Sequence, residues 1–310
     1  MLMVIYCHVE QFCFGFKENE LIGDIFSIVM LPIFFFVSGL CTPPRITWNT
    51  VIKRIRYVVV PTVVMFLLYI GFYYGGYSQF MKCIAGEYKF GYWFTIVLFE
   101  MNLIHYGVSL ISRNRIVLWG SLLFMAVLLI LIKDWDWYHN DAIFSGWFCL
   151  RLLAQHFPYY ILGMICMQNK EVFHKLLSNE YLVGGMILAF VALYIYPNGG
   201  FNKALLMGAF GTAIAYKICQ KNQEYFSNLT TVGRMLIIIG RNTLPIYLIH
   251  YFFFIGLRMP WIKDHFNIVE QSWLIVAIAV LVTVAVAFAS LLVKKLISLS
   301  KPLQYIMLGK

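Results

Sequence analysis

Four histidines fall in apolar stretches of this sequence: His8 in Val4-Ile5-Tyr6-Cys7-His8, His250 in Tyr247-Leu248-Ile249-His250, His105 and His156. Imidazole has an ordinary pKa near neutrality, and a dry site favours its neutral, proton-accepting form. Each can therefore serve as a general base, or as a hydrogen-bonded packing group between helices. His105 and His156 stand in no catalytic spacing, and His250 has a structural use in ordering the 242–250 segment. A second set of able residues is charged. Arg151 lies in Cys149-Leu150-Arg151-Leu152-Leu153, one turn from Gln155, while Glu100 and Asp24 lie in or at the edge of other apolar runs. Charge inside a membrane is costly and is usually paired or functional. Arg151 can balance a developing oxyanion or hold a phosphate, or it can pair with Glu100. Lys53, Arg54 and Arg56 form a basic cluster that suits phosphate and equally suits the flank of a span. Lys133-Asp134-Trp135-Asp136-Trp137-Tyr138-His139 combines carboxylates with aromatic faces. Sugar sites use that pairing, and so does an aromatic belt at a bilayer surface. Tyr73, Tyr74 and Tyr77 are open to the same two readings.

The elements that must hold these residues are membrane helices. Of 310 residues, 61% are hydrophobic and 12% charged, with a mean hydropathy of +0.77. That leaves too little polar surface to coat a water-soluble globule. Apolar runs long enough to cross a bilayer recur along the chain. Ten spans are expected, near residues 1–16, 22–41, 57–75, 91–111, 116–132, 147–167, 181–196, 204–219, 242–257 and 272–293, in one integral domain covering 1–310. The first run has no basic region before it and no small-residue cleavage site after it, so it does not read as a signal peptide.

Numbering the loops alternately places sixteen of the 24 basic residues on one side: Arg45, Lys53, Arg54, Arg56, Arg113, Arg115, Lys170, Lys175, Lys217, Lys221, Arg234, Arg241, Lys294, Lys295, Lys301 and Lys310. Seven fall on the other side, and Arg151 alone is expected inside a span. This is the positive-inside pattern with both termini cytoplasmic. It accounts for the net charge of +10 through topology and anionic lipid, without a nucleic-acid partner. The seven cysteines form no CxxC pair and read as small core residues, so no metal site is expected. The sequon at Asn228 falls on the cytoplasmic side and reads as chance.

Three segments are more distinctive than membrane composition requires. They are Leu31-Pro32-Ile33-Phe34-Phe35-Phe36-Val37-Ser38-Gly39-Leu40, followed by Lys53-Arg54-Ile55-Arg56 and Pro61; Phe157-Pro158-Tyr159-Tyr160-Ile161-Leu162-Gly163; and Gly240-Arg241-Asn242-Thr243-Leu244-Pro245-Ile246-Tyr247-Leu248-Ile249-His250. With Tyr92-Trp93-Phe94, their order resembles the acyltransferase 3 family of integral membrane O-acyltransferases, in particular its fucose 4-O-acetylase-like bacterial members. The resemblance runs over essentially the whole chain.

It implies an all-α polytopic protein of the bacterial inner membrane. Such a protein moves an acyl group, often acetyl from acetyl-CoA, to a hydroxyl of a surface carbohydrate or its lipid-linked precursor. Acyl-CoA is then a co-substrate, and no cofactor is expected to stay bound. The resemblance makes His8 the general base, with His250 as second choice and Arg151 assisting with charge. Lys53, Arg54 and Arg56 would hold the CoA phosphates. The family's paired arginines correspond to Lys53 and Arg56, and a lysine lacks the forked guanidinium contact, so the binding is expected to rest on Arg54 and Arg56. The family also carries an arginine about ten residues before its first-helix histidine, a position that falls ahead of Met1. The first helix is therefore expected to start upstream of this chain; a natural variant without the arginine is the alternative. A multi-span permease and an inactive remnant are the competing functions, and the permease is disfavoured because no inverted repeat is visible.

Overall fold

A computed structural model describes residues 1–14, 21–73, 77–111, 114–133, 146–196, 200–254 and 273–309. The aromatic and acidic run at 134–139 and Tyr74 lie outside them. Among the described residues every regular element is helical, and they form two compact units: 1–30 with 215–308, and 31–214 with Gly309.

The larger unit contains the second half of α2 (Leu21–Leu40). Helix α3 (Trp48–Arg54) runs through a π-helical turn (Ile55–Val59) into α4 (Val60–Tyr73). There follow α5 (Tyr77–Ala85), α6 (Trp93–Ile111), α7 (Arg115–Lys133) and α8 (Leu150–Gln168). Helices α9 (Lys170–Ser178), α10 (Glu180–Ile195) and most of α11 (Gly200–Lys221) complete it. Its core is apolar surface of α6, α7 and α8, with Val97, Met101, Leu122 and Phe157 fully enclosed. Two of the distinctive segments meet here at glycines. A Cβ on Gly39 would overlap the Tyr160 carbonyl, and a Cβ on Gly163 would overlap the Phe36 carbonyl, so α2 and α8 cross backbone to backbone.

A lysine fastens the loop before α6. Lys89 is 6% exposed, and its Nζ donates to the carbonyls of Ile84 and Gly146, each at 2.7 Å, and of Gly86 at 3.4 Å. The backbone turns through left-handed conformations at Lys89, Phe90 and Gly91, with φ of 41°, 50° and 93°. Burial pushes the ammonium pKa below its ordinary range, opposed by Cys149, Glu100 and Glu87. Lys89→Met should lower stability by about 1–3 kcal/mol for each buried carbonyl left without a donor. Thermal unfolding in detergent reads this directly; an unchanged midpoint would show that water replaces the ammonium.

The smaller unit contains α1 (Leu2–His8), prolonged by a π-helical turn (Val9–Phe14), and the start of α2. It also contains α12 (Thr231–Arg241), α13 (Thr243–Ile249), the single turn α14 (Tyr251–Phe254), α15 (Trp273–Ile297) and α16 (Lys301–Leu308). Helix α15 is the platform on which both α1 and α13 pack. Its buried stripe is Ile275, Ala279, Thr283, Val286, Ala287 and Ser290, spaced as one helical face. The small residues in that stripe let two helices approach closely.

Among the described residues, five helices are long and apolar enough to cross a membrane, and seven if each bent pair forms one span. Every one of the ten expected spans meets a helix, but Leu2–Phe14 is short and α8 and α11 fall outside that set. Phe72, Ile116, Leu188 and Leu281 stand exposed, as lipid-facing side chains do. The chain is an all-α membrane protein.

Candidate active site

His8 sits in the last turn of α1, immediately before the π-helical turn. Such turns are uncommon and concentrate at functional sites. Its Nε2 lies 2.8 Å from the Tyr251 hydroxyl. The ring stacks on His250 at a centroid distance of 5.5 Å and is flanked by Phe12 at 5.6 Å and Phe254 at 6.0 Å. The Gln11 side chain interacts with the same ring, yet Nδ1 is buried and makes no hydrogen bond among the described residues.

His250 is fully buried. The third distinctive segment explains its placement. Helix α12 ends at Arg241, and the chain bends by 68° before continuing as α13 and α14. Asn242 Nδ2 folds back to the Ile238 carbonyl at 2.8 Å, and Pro245 fits the first turn of α13, where a missing N–H does no harm. His250 Nδ1 then lies 2.7 Å from the Tyr247 carbonyl and 3.1 Å from that of Ile246. A carbonyl only accepts, so Nδ1 carries the proton and Nε2 the lone pair. That Nε2 is buried and unpartnered among the described residues. The ring thus leans on two carbonyls of its own helix, while the backbone bond from His250 N–H to the Ile246 carbonyl is kept at 2.9 Å.

The remaining residues singled out in the sequence belong to the larger unit. Arg151 is exposed in the first turn of α8, not enclosed in a span. Its electrostatic influence falls on Glu87. Burial raises the Glu87 pKa, and Arg151 and then Lys89 oppose that rise; Glu100 is influenced by Lys89. Lys53 and Arg56 are exposed, whereas Arg54 is half-buried and acts electrostatically on Tyr160. His156 is stacked between Phe35 at 4.9 Å and Trp93 at 5.6 Å, an aromatic sandwich that serves packing. His105 Nε2 donates to the Pro44 carbonyl at 3.1 Å, and its Nδ1 then accepts from the Tyr160 hydroxyl at 3.3 Å. Asp24 is half-buried in the first turn of α2. Of all these side chains, His8 and His250 are the pair that the fold stacks together.

The family model for this acyltransferase domain matches residues 1–292 of the chain. The chain belongs to the acyltransferase 3 family. No curated protein and no solved structure matches it. The family match establishes a membrane acyltransferase and sets aside the permease reading.

The acyltransferase places beside this pair a residue that the sequence reading did not single out. Tyr251 follows His250 directly and its ring lies 4.1 Å from that imidazole, while its hydroxyl reaches His8. Its only sequence signal was adjacency to a histidine. Glu10 was missed as well; it is buried, and a Cβ on Gly23 would overlap its carboxylate.

The His8–Tyr251 bond can run in either sense. In the sense where Nε2–H donates to the Tyr251 oxygen, the lone pair stands on Nδ1. A base oriented by a third group is the usual arrangement for removing a proton from a hydroxyl.

Proposed function

We propose that this acyltransferase moves an acyl group, acetyl in the simplest case, from acyl-CoA to a hydroxyl of a cell-surface carbohydrate or its lipid-linked precursor. The proposed setting is the bacterial inner membrane, with both termini cytoplasmic. The observation that carries the reading is the His8 imidazole, held at Nε2 by the Tyr251 hydroxyl and stacked on His250. Nδ1 takes the acceptor's hydroxyl proton as its oxygen attacks the thioester carbonyl. The tetrahedral intermediate then collapses with loss of the CoA sulfur, and the imidazolium returns its proton to that sulfur. The products are the ester and free CoA.

Lys53, Arg54 and Arg56 are proposed to hold the CoA phosphates, with half-buried Arg54 the best fixed of the three. Arg151 is assigned no step, because it is exposed and stands in the field of Glu87. His250, whose proton is committed to backbone carbonyls, backs the His8 ring and keeps a second lone pair on Nε2.

Cells expressing the chain or its His8→Ala variant would be compared by mass spectrometry of their surface glycan. An added acetyl mass that disappears with His8→Ala supports the reading; a mass that persists in the variant removes His8 from the chemistry. Tyr251→Phe should lower kcat by about tenfold, the weight of one orienting hydrogen bond, and leave KM unchanged. A change confined to KM would place Tyr251 in substrate binding instead.

A further inference from the structure

Helix α12 (Thr231–Arg241) has two unlike sides. Its start is fixed by Thr230, whose hydroxyl accepts from the Gly233 N–H at 2.9 Å, and by Gly233, where a Cβ would overlap the Ser227 carbonyl. Gly233 and Ile239 turn inward and are buried. The helical repeat places Arg241, Arg234, Ile238 and Met235, in that order, around the side facing away from them. All four are exposed, Met235 by 47% and Ile238 by 51%. Two turns separate Arg234 from Arg241, so they lie almost in line, about 10 Å apart along the axis. A basic line thus runs beside an apolar line on one open face. Neither guanidinium is in an ion pair among the described residues; Arg234 reaches only the Thr231 hydroxyl, at 3.4 Å. The sequence places no Asp or Glu between Glu224 and Asp264 to neutralise them.

We propose that this face of α12 binds the headgroups of anionic phospholipid. Water would leave Met235 and Ile238 uncovered, and hydrocarbon alone would strand the two arginines. The boundary between headgroups and acyl chains satisfies both lines at once, and an amphipathic helix lies along it. Guanidinium groups stay charged and donate paired N–H bonds to phosphate oxygens, which favours a phosphate-bearing lipid over a merely polar one. The bend of 68° after α12 turns it off the axis of the apolar helices that follow, as a surface helix leading into a membrane-inserted segment requires. Helix α9 supplies the contrast. It too is bent from its successor, by 79°, and exposes Lys170 and Lys175, but Glu171 lies between them, one turn before Lys175, and offsets their charge. The proposal stands apart from the acyl-transfer reading, since it invokes neither His8 nor the acyl donor.

The test uses the full chain in nanodiscs of mixed phosphatidylcholine and phosphatidylglycerol, with native mass spectrometry of the released protein counting each lipid retained. Arg234 and Arg241 are exposed, so Arg234→Gln with Arg241→Gln leaves the core intact. Phosphatidylglycerol retention should fall about tenfold in this variant, while phosphatidylcholine retention and the unfolding midpoint stay unchanged. Lys170→Gln with Lys175→Gln removes the same formal charge from α9 and should retain phosphatidylglycerol as the parent chain does. Parental retention in the arginine variant overturns the proposal. An equal fall in the lysine variant also overturns it, by assigning binding to net charge instead of to α12. If the double arginine variant fails to fold, Arg241→Gln alone should still lower phosphatidylglycerol retention selectively. Lipid binding is read and not turnover, so either overturning result leaves the role of His8 untouched.

Discussion

Replacing His8 with glutamine should cut turnover by about 10²- to 10⁴-fold, the usual contribution of a positioned general base, while KM for the acyl donor stays within error. Glutamine approximates the reach of imidazole and can still bond Tyr251, but it cannot accept a proton at neutral pH. Initial rates of CoA release in proteoliposomes, measured over a range of donor concentrations, separate the two constants. His250→Gln provides the contrast. Its ring proton is committed to the Tyr247 and Ile246 carbonyls, so its loss should disturb the backing of His8 and cost far less than loss of His8 itself. Equal losses at both positions would mean that the two imidazoles share the proton, and a full rate in His8→Gln would place the base elsewhere.

The second large effect is on folding. Gly163→Val puts a branched side chain where even a Cβ would overlap the Phe36 carbonyl, and the mirror position, Gly39, faces the Tyr160 carbonyl in the same way. Backbone cannot move aside as a flexible side chain does, so α2 and α8 must separate. Overpacking of a core costs about 1–3 kcal/mol where side chains can yield, and this crossing should exceed that range. The expected result is little or no monodisperse protein by size-exclusion chromatography in detergent. Gly120→Ala, with open space around its Cβ position, should behave as the parent chain. A well-folded Gly163→Val protein would show that the crossing tolerates a wider gap.

Much of this architecture was legible in the sequence because lipid imposes so strict a rule. Each apolar run long enough to span must satisfy its own backbone, and only a helix does so within one segment. What hydropathy cannot convey is where a helix ends. Arg151 reads as a mid-span charge because leucines flank it, yet α8 begins only at Leu150 and the guanidinium stands in its first turn. The 242–257 run reads as one straight span. The structure instead joins it to Thr231–Arg241 through a bend of 68°, which leaves no trace in apolar patterning. His8 was identified through family resemblance, not through periodicity. Tyr251 was missed because its bond to His8 joins residues 243 positions apart, and no local pattern records such a pairing.

That separation has a consequence for biogenesis. A ribosome adding about 5–20 residues per second needs on the order of 10–50 s to travel from His8 to Tyr251, and the α15 platform is made later still. Throughout synthesis His8 is without Tyr251 and without the α15 platform. The His8–Tyr251 pair therefore closes only after the helices between its two halves have been threaded into the membrane.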